Sequence, residues 1–326
     1  MNTKIDKKSI INRIDNYKVI TVDIINTKTP LFINRAVDKI FVINLEKDKL
    51  RKNYICILMK KYKINFTLIT VQKINNQTYQ TINKNDNLTM AECGCLMSHL
   101  WCLQKIIKEN YKNAIIFEDD IILHKDFHRL FKQLYRENYN FLILGACDFS
   151  FSSINHKQVN NGLYVPDKHS TNVYGAHANY YSLEGAKKMF EVKTNFPSFV
   201  DSDYHSMFQW FADTSFICYP NLVVSDISTS NLSHSYPFFS VYETNYYTKC
   251  FINFDFNEYN FIYLDIIGQQ TKNVNILASD TFETYMMKLI YYTFYNKTKE
   301  LAIQNRIAMH FYTINDIKWM LNCTAI

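Results

Sequence analysis

Glycine and proline are scarce, six and five in 326 residues, while Asn, Ile, Lys, Tyr and Phe abound. That skew follows AT-rich codons. It leaves no Gly-rich phosphate loop, and each remaining glycine is expected to hold a needed backbone geometry. No internal repeat or low-complexity array occurs. No segment reaches membrane-spanning length, and the first residues hold no apolar leader core, so a soluble cytoplasmic protein is expected. Charge of one sign is also lacking: the net is +6, with basic clusters only at Lys4, Lys7, Lys8 and at Lys47, Lys49, Arg51, Lys52. Such runs suit phosphates or a solvated helix face, and with no nucleic-acid motif beside them no nucleic-acid partner is expected. The eight cysteines include Cys93, Cys95 and Cys102, but no second pair has zinc-knuckle spacing, so buried reduced thiols are the default.

What is present is a globular composition, 16% aromatic and 20% charged. Residues 1–37 read as a polar, irregular N-terminal extension. Lys39–Leu45 predicts a strand, followed by a helix over about 47–62 with Ile55, Leu58 and Met59 on one face. Phe66–Val71 predicts a second strand, 75–87 a loop, and about 89–110 a helix whose packed face includes Ala91, Cys95, Ser98, Cys102 and Leu103. Then come a strand at Ala114–Phe117, a short helix near 127–136, a strand from Phe141, and a loop or hairpin over 150–170. An extended stretch to Ser182, helices at 183–190 and 202–211, and a strand at Ser215–Cys218 follow, with a long loop to about 242. Two helices at about 281–295 and 298–321 close the chain, with apolar faces that need burial. Repeated strand–helix units argue for an α/β fold with a mostly parallel sheet. The domain reading is an extension at 1–37, a catalytic domain at 38–245 and a mostly helical region at 246–326. That last region packs on the core or makes a homodimer.

The chemistry concentrates where Ala114-Ile115-Ile116-Phe117 runs into Glu118-Asp119-Asp120. Three acids at a buried strand end are costly unless something cationic meets them. Ligands of open α/β sheets sit at that end of the strands, and a divalent metal carrying a nucleotide diphosphate suits hard carboxylate oxygens there. Solvated acids capping a strand are the bland alternative.

A series of blocks in order resembles glycosyltransferase family 25, over about residues 39–235. Phe41-Val42-Ile43-Asn44-Leu45 through Arg51 looks like its opening block, and Glu92-Cys93-Gly94-Cys95-Leu96-Met97-Ser98-His99 is similar to its E-x-G-C-x-x-S-H helix. The E-D-D strand end follows. Tyr174 through Ala186 resembles its G-T-x-A-Y stretch, Val200-Asp201 its P-V-D element, and Pro220 through Asp226 its P-x-L…S-D segment. The sequence departs from the pattern at Glu46 and Lys47, where the family often has its first Arg, and at Ser198-Phe199.

The resemblance implies a GT-A-type fold and a Mn²⁺- or Mg²⁺-dependent transfer of galactose or glucose from a UDP-sugar. The acceptor is hydroxylysine or galactosylhydroxylysine of a collagen-like protein, or a lipooligosaccharide-type glycan. Asp120 is the expected direct metal ligand, with Glu118 or Asp119 on the ribose, the metal or a metal-bound water. Asp226 and His234 are candidates for a further ligand. Asp201 is the first choice of base and Asp203 the second, against a plain helix-start role for both. Asn44 and Leu45 are placed for the donor's base and ribose. Arg51 is placed for phosphate, or is a surface helix arginine. His99 is a core histidine or a donor contact. Gly94 is expected to allow close helix-to-sheet approach, and Gly175 and Ala178 to leave room for sugar or acceptor. The rival readings are a hydrolase or phosphotransferase using the same acids, and a non-catalytic nucleotide-sugar-binding subunit.

Overall fold

The computed structural model describes residues 7–83, 88–146, 156–160, 162–166 and 173–225. Asp226, His234 and the two helices expected beyond residue 280 lie outside them.

The elements in order are α1 (Lys7–Asp15), β1 (Val19–Ile24), α2 (Phe32–Ala36), β2 (Lys39–Leu45), α3 (Lys49–Lys61) and β3 (Phe66–Val71). Next come α4 (Asn76–Ile82), α5 (Met90–Lys108), β4 (Asn113–Glu118), β5 (Ile121–Leu123), α6 (Phe127–Leu134) and β6 (Phe141–Ile143). The hairpin β7 (His156–Asn160) and β8 (Leu163–Pro166) precedes β9 (Ala178–Ser182), α7 (Leu183–Asn195), α8 (Tyr204–Trp210), β10 (Ser215–Cys218) and β11 (Val223–Ser225).

Nine of these strands form one sheet in the order β1-β3-β2-β4-β9-β6-β10-β8-β7. β3, β2, β4, β6, β10 and β7 run one way, and β1, β9 and β8 run against them. The mixed, mostly parallel sheet with flanking helices is therefore the observed architecture. β5 and β11 make a separate antiparallel ribbon.

Alternation along the strands builds the two cores, because successive side chains leave opposite faces. Ile115 and Phe117 of β4 pack with Tyr54, Leu58 and Met59 of α3 and Phe127 and Phe131 of α6. Ala114 and Ile116 face the other way, onto Cys102, Leu103 and Ile106 of α5 and Met189 of α7. A third cluster joins Ile10 and Ile14 of α1 to Ile82 of α4 and to Leu96, Met97 and Leu100 of α5.

Several local expectations change. From residue 7 on, the N-terminal stretch is not irregular: α1 packs against α4 and α5, and β1 pairs in register with β3 from Val19↔Val71 to Ile24↔Phe66. Apolar Ile10 and Ile14, four apart, supply the helix face that the polar composition obscured. Residues 76–82, read as loop, form α4, started by Asn75, whose side chain accepts from the Thr78 amide. α5 begins with a capping box: Thr89 Oγ1 accepts from Glu92 N, and Glu92 Oε2 accepts from Thr89 N. Gly94 is no packing glycine, since a Cβ there would meet nothing within 4 Å. Gly145 is one: a Cβ would fall 1.6 Å from the Val223 carbonyl, so its absence lets β11 cross the end of β6. Ala178 is fully buried within β9 opposite Phe117, where it fills sheet space and leaves no room for a ligand.

Candidate active site

Glu118, the last residue of β4, shares the parity of Ala114 and Ile116 and so points toward α5. There Cys95 and His99, four residues apart, occupy one face of the helix. His99 Nε2 lies 2.9 Å from Glu118 Oε1, and the Cys95 thiol donates to the same oxygen at 3.5 Å. An ionised carboxylate only accepts, so the His99 tautomer carries its hydrogen on Nε2. Burial pushes the Glu118 carboxyl up, but the His99 bond and the nearby His99 and His177 rings outweigh it and hold the group below its usual range.

Asp119 and Asp120 form the turn into β5 and are both buried, 5% exposed. α3 holds them. Arg51 Nη1 donates to Asp119 Oδ1 at 2.9 Å, and its Nη2 to Asp120 Oδ2 at 3.2 Å. One turn along the same helix face, the Tyr54 hydroxyl donates to the Ile121 carbonyl at 2.5 Å. From the end of β2, Asn44 Nδ2 donates to Asp119 Oδ2 at 2.6 Å and to the Asp48 carbonyl at 3.2 Å.

The cluster is electrostatically unfinished. Arg51 is shared between two carboxylates, and Asp120 Oδ1 is buried with no hydrogen-bond partner. Burial, with Glu118 and Asp119 adding to it against Arg51, pushes the Asp120 carboxyl up to about 7. Burial also raises Asp119, against Arg51 and Asn44.

A cavity of about 490 Å³ opens onto these groups. Ile43, Leu45 and Lys47 with Arg51 form one wall, Thr89, Gly94, Cys95, Ser98 and His99 the other, and Glu118, Asp119 and Asp120 the floor. Tyr17, from the chain before β1, closes an edge by donating to the Gln72 carbonyl at 3.0 Å. The volume suits a bound small molecule.

The structure thus brings Leu45, Arg51, His99, Glu118, Asp119 and Asp120 to one cavity. Asn44 stands behind Asp119 and is not part of the lining. Arg51, with its side chain 13% exposed, is no surface helix arginine.

Asp201 and Asp203 lie elsewhere on the α5 side of the sheet. Asp201 Oδ2 accepts from the Gly175 amide at 3.1 Å, and its charge reaches the Cys95 thiol, which burial and Glu118 already hold well above its usual value. Gly175 has φ +130°, a backbone that favours glycine, and this conformation aims its amide at Asp201. Asp203 makes no side-chain cap to α8. It pairs instead with Lys193, itself 1% exposed, at 2.6 Å. Lys193 Nζ also donates to Ser198 Oγ, Ser202 Oγ and the Phe199 carbonyl. Burial lowers the Lys193 ammonium from its usual range, against Asp203 and Asp201.

Sequence reasoning missed Tyr17 as a cavity wall, Lys193 as a buried cation, and Cys95 as a cavity residue where a packed one was expected. Only Cys95 had a readable signal: the Cys-x₃-His spacing of one helix face.

The family model for Glycosyltransferase family 25 (LPS biosynthesis protein) matches residues 37–204, just over half of the chain. No curated protein matches the chain. Among solved structures it is similar to one described as a crystal structure of a glycosyltransferase involved in the glycosylation of the major capsid of PBCV-1. That likeness has 11% identity and a TM-score of 0.36, and covers 59% of this chain and 94% of that one.

Proposed function

This chain belongs to glycosyltransferase family 25 and is a glycosyltransferase; we propose that it moves galactose or glucose from a UDP-sugar bound in the cavity over Asp120 to a hydroxyl acceptor. The observation that carries the reading is the orphaned Asp120 Oδ1, buried at the cavity floor beside two further carboxylates and one guanidinium. Such a corner is unfavourable as it stands, and a bound cation would relieve it.

Mn²⁺ or Mg²⁺ fits the donors present, since an unpartnered carboxylate oxygen is a hard ligand and such ions keep waters and substrate phosphates as their other ligands. Asp120 would hold the ion, which when bound neutralises charge growing on the departing diphosphate. Arg51 fixes the orientation of both aspartates and adds positive charge at the same corner. Asn44 keeps Asp119 turned toward Arg51. Leu45 and Ile43 offer an apolar surface to the nucleoside, and His99 holds Glu118 ionised. Asp201 lies outside the cavity lining, but its charge reaches the Cys95 wall, and, held by the Gly175 amide, it is the base assigned to the proton of the attacking hydroxyl. Asp203 serves the fold through Lys193. The acceptor is a glycan hydroxyl or the hydroxylysine of a collagen-like chain.

The test is release of UDP from a panel of UDP-hexoses with Mn²⁺ present, with and without each acceptor class. One hexose donor should be turned over, and excess chelator should abolish the reaction. Full turnover in chelator would remove the metal. Asp201→Asn should bind UDP as tightly as the parent yet transfer roughly 10²–10⁴-fold more slowly; unchanged transfer would clear Asp201 of the role.

A further inference from the structure

Cys95, His99 and Glu118 place three different ligand atoms within 4.8 Å of one another: a thiol sulfur, an imidazole nitrogen and a carboxylate oxygen. The separations are 3.5 Å from Cys95 Sγ to Glu118 Oε1 and 2.9 Å from His99 Nε2 to the same oxygen. Ligands of a tetrahedral zinc stand roughly 3.3–3.8 Å apart at the bond lengths that ion takes. The sulfur–oxygen edge already meets this. The nitrogen–oxygen edge needs to open by a few tenths of an ångström as its hydrogen bond is replaced. Two of the groups are fixed by one turn of α5 and the third by the end of β4, so little chain must be ordered to make the set. All three line the cavity, which leaves the fourth position open to it.

We propose that these residues form a soft-cation site, separate in its donors from the all-oxygen corner at Asp120, that takes Zn²⁺ and inhibits transfer when filled. Sulfur and imidazole select zinc over magnesium or manganese. On binding, Cys95 gives up its S–H proton to solvent. His99 carries its hydrogen on Nδ1 so that the Nε2 lone pair reaches the metal, and Glu118 exchanges two hydrogen bonds for one metal bond. An ion seated there occupies the cavity wall beside Asp120 and takes space that the donor would use. The inhibitory consequence rests on the reading of the cavity as the donor site; the binding itself does not.

The test uses the full reduced chain, stripped of metal and titrated with Co²⁺ alone. One equivalent should give visible tetrahedral bands and a near-ultraviolet thiolate-to-cobalt band, both erased by stoichiometric Zn²⁺. Cys95→Ser and Cys95→Ala should lose the thiolate band while Cys56→Ser keeps it, and His99→Gln should weaken Co²⁺ binding at least about 10-fold. Circular dichroism of each variant establishes that it is folded. Absence of the thiolate band, or its survival in both folded Cys95 variants, overturns the site. In the transfer assay, Zn²⁺ sensitivity relative to each protein's own rate should fall about 10-fold in Cys95→Ser; equal sensitivity overturns the inhibitory role. The cobalt spectra read out independently of turnover, so a chain that binds Co²⁺ in this way but uses no UDP-hexose would sink the proposed donor and leave the site standing.

Discussion

Two regions of the molecule set acids against a single buried cation, with opposite outcomes. At the β4–β5 turn, Arg51 is divided between Asp119 and Asp120, and Asp120 Oδ1 is left over. At the start of α8, Lys193 is surrounded by Asp203, two serine hydroxyls and a carbonyl. The second arrangement is complete, and nothing further need bind for it to be stable. The first retains an unmet demand for positive charge and opens onto a cavity. Counting acids near a cation does not separate a structural pair from a binding corner; tracing each oxygen to its partner does.

The contrast breaks if the two sites respond alike to mutation. Asp120→Ala should lower UDP release roughly 10²–10³-fold, the scale of losing a key charge-stabilising group. Its melting temperature should stay level or rise, because an unpaired buried oxygen leaves with it; a marked fall would mean Asp120 is structural. Lys193→Met should cost roughly 3 kcal/mol in urea unfolding, as expected on removing one partner of a buried pair. A loss under about 1 kcal/mol would show that the Lys193 network is ordinary surface pairing. Asn44→Ala tests whether Asp119 depends on its 2.6 Å bond, and should lower stability by about 1–3 kcal/mol. Smallest is Thr89→Ala, which removes the capping box on α5 and should cost about 1 kcal/mol. If that variant also loses transfer as Asp120→Ala does, the cavity wall matters as much as its floor.

Much of the sheet was legible. β2, β3 and β10 fall at the residues their apolar runs predict, and β4 runs one residue past each end of its predicted stretch. The acids at the end of β4 stand out in the sequence because nothing else interrupts that run so sharply. Less visible was β1, whose Ile20 and Val22 remain exposed on an edge strand and leave only a weak trace of alternation. α4 was hidden because Asn75–Ile82 is polar, and its single buried residue, Ile82, carries no period.

Periodicity and motif order are properties of neighbouring residues, so the linear chain by itself determined the main strand–helix alternation from β2 onward, without α4, together with the acid tip and the family pattern. Which acid is answered and which is not depends on residues far away along it. Arg51 lies 68 residues from Asp119, and Tyr17 lies 81 from Ser98 across the cavity edge. Those meetings arise only when the sheet closes and α3 and α5 settle on its two faces, and so it was the tertiary structure that left one carboxylate oxygen of Asp120 without a partner.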